Sequence, residues 1–398
     1  MSTQMGADTH GGTIAATEAG EVSSIDLKIE EGLAGIVIAR SRISDVNGDL
    51  GTLSFRGYDI GELACHSSYE ETIYLLLCGE LPTRAQLEAF SQRLAAERQI
   101  DDATRMVLEM LPEQVEPMDA LRTAVSMISC TDGTNGKPCH ESNLDKAISL
   151  TAKFPTIVAS YYRHRLGLAP IAPNPALGHA ANFLYMLSGE APTELQARSL
   201  DLAMIMMAEH GYNASTFAAR VAASTLSDMY SAVVAAIGTL KGPLHGGANR
   251  RAMEMLLEIG SVETVEPYID AALAAKKRLM GFGHRVYKYT PDPRSAYLRG
   301  RLYELCAEAG DFTLYDVATA VAEAAETKKG LFPNVDFYCA PVMYMVGVPV
   351  DLFVSVFAIS RIPGWATHVL EQYENNKLIR PLSVYDGPSQ PYVHIDAR

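Results

Sequence analysis

Apolar residues in this chain recur mostly three and four positions apart, the spacing of helices that bury one face. The exception comes early. From Ala34 to Ile60 the text alternates and turns, and Asn47-Gly48 between β-branched runs is a hairpin signal, so a small β element is predicted there. Helices follow it. Ser68 with Glu71 is a capping box opening the apolar run Ile73 to Leu77, which Gly79 and Pro82 close. Thr83 with Gln86 opens a second helix that carries Leu87, Phe90 and Leu94 at helical spacing. Thr313 with Asp316 predicts a third, closed by two cations and a glycine, Lys328-Lys329-Gly330. Val350 to Ile359 and Trp365 to Tyr373 read as two more, separated by Pro363-Gly364. No repeat and no Gly/Ser linker divides the chain, so the pattern predicts a mainly all-α fold with a small β element near its N-terminus.

Composition adds scale. With 398 residues, 48% of them hydrophobic, the chain can bury a large core in two or three domains. Residues 1–25, rich in Ala, Gly, Thr and Ser, have neither a basic start nor an apolar run and read as a flexible tail rather than a targeting segment. The longest apolar stretch, Cys339 to Ser360, is interrupted by Pro341, Pro349 and Asp351 before the ~20 clean residues of a membrane span, and predicts two buried helical pieces. Six scattered cysteines (Cys65, Cys78, Cys130, Cys139, Cys306, Cys339) read as reduced, buried thiols of a cytoplasmic protein. Cys130 with Cys139-His140 comes nearest to a metal cluster but lacks a fourth ligand, so no metal is expected.

The net charge of −14 argues against binding to nucleic acid or acidic membranes. One segment departs from the average. Lys276, Lys277, Arg278, Arg285, Lys288, Arg294, Arg299 and Arg301 lie in a stretch whose single acid is Asp292. Such an island suits a small polyanion, although a solvated basic helix face is the commoner meaning of a charge run.

Three ionisable groups sit in apolar or glycine-rich text: His245 in G-P-L-H-G-G-A-N, His284 in G-F-G-H-R-V-Y-K, and Asp336 in P-N-V-D-F-Y. A lone histidine among apolar neighbours is most often a satisfied core residue. Three such groups, two beside glycines that permit close backbone approach, favour a site. No G-x-S-x-G, H-E-x-x-H or Walker loop is present, and the G-x-G at 281–283 lacks a third glycine and a preceding strand. Two histidines and an aspartate without nucleophile or metal suggest acid–base work on a carbon or carbonyl. Arg361, after an apolar run, and Arg380, in L-I-R-P, add cations whose best match is a carboxylate.

Taken in order from about Gly32 to the C-terminus, G-P-L-H-G-G-A-N, G-F-G-H-R-V-Y-K with D-P-R, P-N-V-D-F-Y, and S-R-I-P-G-W with L-I-R-P resemble the citrate synthase family in its short bacterial and archaeal form. The resemblance implies an acyltransferase that condenses acetyl-CoA with oxaloacetate and hydrolyses citryl-CoA, with no cofactor and no metal. It implies a homodimer of two-domain subunits, the large helical domain being 26–246 with 348–398 and the small one, which closes over the site, 247–347. Asp336 would remove the methyl proton, His245 would hydrogen-bond the thioester oxygen, and His284 would polarise the oxaloacetate carbonyl. His210, Arg294, Arg361 and Arg380 of the partner subunit would hold carboxylates, giving oxaloacetate more cationic charge than it carries negative. Leu244, Gly281, Phe282, Gly283 and Lys288 would meet CoA. The helix beginning at Asn249 would favour a neutral His245 through its dipole, or the Gly246-Gly247 spacer would point the ring away from the helix axis; the same two glycines would leave room for substrate.

Two features differ from the family pattern: three residues, Tyr289-Thr290-Pro291, stand before D-P-R where two are usual, and His210 lies in E-H-G where D-H-E is common. The nearest alternative is 2-methylcitrate synthase, which uses propionyl-CoA; Leu244 and Arg285, where that enzyme often has lysine and proline, favour citrate. A non-catalytic helical protein that binds polyanions through the basic island is the alternative of another class.

Overall fold

A computed structural model describes residues 29–33, 35–135 and 139–398, so the tail expected over 1–25 lies outside the described residues. The chain forms two compact units, residues 1–40 and 41–398. In the first, the described residues form a short turn, Glu31–Leu33, and a stretch without regular secondary structure in which Ile36, Val37 and Ile38 are exposed.

The second unit opens on the predicted β element, an antiparallel sheet in the order β1 (Ser44–Asn47), β2 (Thr52–Phe55), β3 (Tyr58–Asp59). Asn47 turns the first hairpin by accepting from the backbone N–H of Asp49 and Leu50. Helices follow in the order α1 (Ile60–His66), α2 (Tyr69–Cys78), α3 (Arg84–Ala96), α4 (Asp102–Met110), α5 (Pro117–Thr131), α6 (His140–Arg165), α7 (His179–Ser188) and α8 (Glu194–Met207). The second half holds α9 (Ala214–Ser224), α10 (Met229–Leu240), α11 (Ala248–Ile259), α12 (Val265–Ala274), α13 (Ser295–Ala309), α14 (Thr313–Lys329), α15 (Val335–Met345) and α16 (Phe353–Glu374).

Local signals account for many boundaries. Thr83 and Gln86 form the full reciprocal box at the start of α3, and Ser68 Oγ accepts from Glu71 at the start of α2. At α14 the expectation fails. Thr313 lies inside the helix, and its N–H is taken by Asp311, two residues earlier, so an aspartate already aimed at that amide displaces the predicted threonine cap. The C-terminal end is as expected, with Lys328 and Lys329 in the last turn and Gly330 left-handed beyond it.

The larger departure is α16. Val350–Leu352 is only a short turn, and the two helices expected around Pro363-Gly364 are one continuous helix. Proline offers no N–H to the carbonyl four residues back, here Ile359, and such a loss normally ends or kinks a helix. Tyr69 supplies the missing donor: its buried hydroxyl lies 2.8 Å from Ile359 O and 3.0 Å from Ser360 O. By length and composition the segment Val350–Glu374 could cross a membrane, but 94% of its apolar window is buried in the fold, which accounts for that composition. With Trp365 fully buried, α16 is the core helix on which α2, α6, α8, α9 and α10 pack. The cysteine expectation is also revised, since Cys65, Cys78, Cys130 and Cys139 are exposed free thiols and only Cys306 and Cys339 are buried.

Tyr69→Phe is expected to cost about 1–2 kcal/mol of stability. Pro363→Ala restores an N–H to Ile359, so it should shrink that cost in the double variant, as urea denaturation of the four-member cycle would read. Strictly additive costs would show that the hydroxyl does not replace the missing donor.

Candidate active site

The C-terminal end of α8 gathers the site. Its last carbonyls carry the negative end of the helix dipole and attract cations. Arg294 Nη1 donates to Met206 O at 3.3 Å, and Arg361 Nε donates to Met207 O at 2.5 Å. Glu209 and His210 follow immediately. Residues remote in sequence are thereby drawn to one short stretch of backbone.

The loop carrying His284 is anchored on two sides. Gly283 N donates to Phe332 O, Asn334 N to Gly281 O, and Asn334 Nδ2 to Gly283 O, so this loop and the start of α15 are laced together. Gly281, at φ +81°, sits so close to Phe337 that an added Cβ would lie 2.8 Å from that residue's Cβ. Opposite, the β hairpin supports the loop, because Thr290 Oγ1 donates to Gly48 O at 2.8 Å. Here the extra residue before D-P-R finds its place.

Backbone amides settle the tautomers of two histidines, because an amide N–H can only donate. His284 Nδ1 accepts from Val286 N at 3.0 Å and Tyr287 N at 3.2 Å, leaving Nε2–H as the donor of the neutral ring. His245 Nε2 accepts from Ser215 N at 3.3 Å and lies 2.8 Å from Ser215 Oγ, so its neutral ring donates from Nδ1. Ser215 belongs to the first turn of α9, so the helix end that donates to this ring is that of α9, a contact additional to the α11 dipole expected from the sequence. Gly246 is likewise a packing requirement, since a Cβ there would meet Leu240 and its carbonyl.

Burial sets the charge states. His245 is pushed down to about 4 by desolvation and then by the Arg361 cation, and His284 to about 4 by desolvation and then by Arg294. His210 is held well below its usual value by burial, then by Arg294, His284 and Arg361. Its ring centroid lies 5.0 Å from that of His284, and its Nε2 is 3.3 Å from Tyr287 Oη. Asp336 moves the other way, raised to about 7 by desolvation, with Arg294 and Arg361 opposing and Asp292 reinforcing. Its Oδ1 is buried without a hydrogen-bond partner, and its N–H is capped by Asn334 Oδ1. Arg361 acts on His245, His210 and Asp336 alike, and Arg294 on His210, His284 and Asp336, so the four groups share the fields of two cations.

The two buried arginines differ. Arg294 gives Nε and Nη2 to Asp292, at 2.9 and 2.7 Å, in a buried bidentate pair, and Asp292 Oδ2 also accepts from Val335 N. Its charge is balanced and two of its five N–H groups remain, so it brings no surplus positive charge, contrary to expectation. Arg361, 2% exposed, has no carboxylate within ion-pair distance among the described residues. Burial pushes its guanidinium down to about 10, with Glu209 acting in the opposite direction. Arg380 is exposed and donates to Pro381 O, and the chain does not itself bring it to this cluster.

Of the residues expected at CoA, Gly281, Phe282 and Gly283 lie on the anchored loop, Phe282 against Phe337 at 4.6 Å between centroids. Leu244 is 89% exposed and Lys288 is exposed. The basic island divides. Lys276, Lys277, Arg278, Arg285 and Lys288 are exposed, Arg294 is buried with Asp292, Arg299 covers Tyr315, and Arg301 pairs with Glu304. Among the described residues no group of three or more His, Cys, Asp or Glu side chains could hold a metal ion.

Sequence reasoning did not single out Ser215 or Asn334 as parts of the site. Asn334 had a local signal, an asparagine at a helix start. Ser215 had none, since its partner His245 is 30 residues away.

Neutral imidazoles with fixed donors, a carboxyl raised towards neutrality and a buried arginine lacking an anion define an enzyme built for proton transfer at a carbon beside a carbonyl. The model of the family "Citrate synthase, C-terminal domain" matches residues 32–382. A citrate synthase of Haloferax volcanii is 48% identical over 366 residues, covering 90% of this chain and 96% of that one. A 2-methylcitrate synthase of Mycobacterium tuberculosis is 42% identical over 380 residues, covering 95% and 96%. Among solved structures, the ternary complex of Thermoplasma acidophilum citrate synthase with carboxymethyl coenzyme A and oxaloacetate matches with a TM-score of 0.87 at 32% identity, over 93% of this chain and 100% of that one. The chain belongs to the citrate synthase family, and is thus an acyltransferase of the condensing type. That membership sets aside the non-catalytic alternative.

Because the folded-state value of Asp336 is raised above 3.8, its stabilising contribution is full below about 4 and is lost as pH rises towards 7. Asp336→Asn should therefore raise the melting temperature more at pH 8 than at pH 5 in calorimetry. Equal shifts at both pH values would show an ordinary carboxyl.

Proposed function

We propose that this protein is a cytoplasmic, homodimeric citrate synthase of the tricarboxylic acid cycle, joining acetyl-CoA to oxaloacetate with no cofactor. What carries the reading is the pair of fixed tautomers, Nδ1–H on His245 and Nε2–H on His284, beside a carboxyl raised to about 7. Two neutral donors and one poised base are the parts that an enolate condensation needs.

The Asp336 carboxylate takes a proton from the thioester methyl group, and the C–H electron pair moves into the enolate. His245 Nδ1–H donates to the oxygen where charge develops; one such preorganised donor supplies about 3–4 kcal/mol, or roughly 10²–10³ in rate. The enolate carbon then bonds to the oxaloacetate ketone carbon. The ketone oxygen, polarised by His284 Nε2–H, becomes a hydroxyl by taking up one proton, which balances the proton lost from the methyl group. Water adds to the citryl thioester and the C–S bond breaks; one water proton goes to the thiol of CoA and the other to solvent.

His210, Arg361, the two free N–H groups of Arg294 and Arg380 of the partner subunit hold carboxylates, with Arg361 the leading cation because it lacks an anion of its own. Residues 247–347 close over 26–246 and 348–398 to exclude water until hydrolysis. Leu244, Gly281, Phe282 and Gly283 meet CoA, and Lys288 on the exposed basic stretch meets its phosphates.

Similarity to a 2-methylcitrate synthase keeps propionyl-CoA as the second reading. Thiol release with the two acyl donors side by side decides between them. A higher kcat/KM for acetyl-CoA is expected, and a preference for propionyl-CoA would replace citrate by 2-methylcitrate. Asp336→Asn should abolish turnover while oxaloacetate binding, read by calorimetry, stays near normal; loss of that binding would make Asp336 a structural residue.

A further inference from the structure

Behind His210 and Arg361 lies a buried polar chain that the reaction steps do not use. Glu209 and His368 are both fully buried, with His368 Nε2 3.0 Å from Glu209 Oε1. Arg220 Nη1 donates to His368 Nδ1 at 2.9 Å, and a guanidinium cannot accept, so His368 Nδ1 is the acceptor and Nε2–H points at Glu209. The charge of Arg220 is met by Glu371 at 2.8 Å, while Gln372 Oε1 accepts from its Nε at 3.1 Å. Arg220 is therefore already balanced and leaves Glu209 its charge.

Glu209 is held asymmetrically. Oε1 accepts from His368 Nε2, from Ser44 Oγ at 3.0 Å and from Gly211 N at 2.5 Å, whereas Oε2 is buried and has no hydrogen-bond partner. Oε2 faces α16 at Gly364, three residues after Arg361 in that helix, lying 2.7 Å from where a Cβ on Gly364 would stand. An ionised carboxylate and a buried guanidinium thus act on each other through space without an ion pair, each leading or nearly leading the charges that the other feels. A direct salt bridge would occupy the N–H groups of Arg361 and compete with a substrate carboxylate.

We infer that Glu209 is a fixed counter-anion of Arg361, pinned off the guanidinium by His368, Ser44 and Gly211 so that Arg361 stays available to a substrate carboxylate while its pull on the product is tempered. Glu209 and His368 are then positioning residues, and the inference rests on the reading that Arg361 binds oxaloacetate. A triply charged product feels the surplus of an untempered arginine more than a doubly charged substrate does, so the pinned anion favours release.

Two substitutions should move the enzyme in opposite directions, which a merely loosened site would not do. Glu209→Gln removes the counter-charge: KM for oxaloacetate and the inhibition constant of citrate should both fall, roughly three- to tenfold, with kcat lowered by slower release. His368→Gln frees the carboxylate to reach Arg361: KM for oxaloacetate should rise by a similar factor while KM for acetyl-CoA is unchanged. Ser44→Ala removes one pin from a partly exposed position and should shift KM in the direction of His368→Gln by a smaller factor, which keeps the test open should a core variant fail to fold. Both core variants raising KM, or Ser44→Ala leaving it unmoved, would overturn the inference. Arg361→Lys separates the two layers. If it leaves oxaloacetate binding intact, the underlying reading fails; if it weakens binding while Glu209→Gln does not tighten it, the counter-anion role alone fails.

Discussion

The contact between the C-terminal end of α8 and two buried arginines is the constraint on which the rest of the site depends. Met206 O and Met207 O, carbonyls left over at a helix end, accept from Arg294 and Arg361, which come from residues 88 and 154 positions away. Guanidinium groups remain charged inside a protein and must be met by oxygen, so these carbonyls draw the D-P-R segment and α16 to one place. Once they are there, Asp292 can bridge Arg294 to the N–H of Val335, and the helix carrying Asp336 is fixed at its first residue.

From that docking follows one desolvated interior with two opposite effects. Burial lowers the histidines and raises Asp336, so at neutral pH the site holds uncharged imidazoles and a carboxyl close to half-ionised. The same dry surroundings strengthen every hydrogen bond that the buried donors make. In the same interior the two arginines differ, Arg294 being paired with Asp292 while Arg361 is answered only at a distance by Glu209. The β hairpin gains its purpose here, as a rigid edge against which Thr290 and the His284 loop are set.

Much of this was legible in the text. The helical period, the Thr83 box, the Gly330 stop and the Asn47 turn depend on partners within about four residues, and each appears where the local rule places it. Four motifs marked His245, His284, Asp336 and Arg361, because an ionisable group in apolar or glycine-rich text is unusual wherever it lies. The long-range contacts behind the site were not legible. Ser215 reaches His245 across 30 residues, and His368 reaches Glu209 across 159, with nothing in either neighbourhood to announce it.

Pro363 shows the division most plainly. By itself the sequence determined a mainly helical chain with a small hairpin and the chemical types that meet at its site, since these follow from backbone preferences and periodicity over a few residues. Only the tertiary structure decided whether α16 breaks at its proline, which helix end meets His245, and which arginine is left without an anion. For the helix and for His245 the deciding atom comes from a distant segment, as with the hydroxyl of Tyr69, 290 residues before Ile359, because a buried donor or acceptor is satisfied by whatever folding brings within 3 Å.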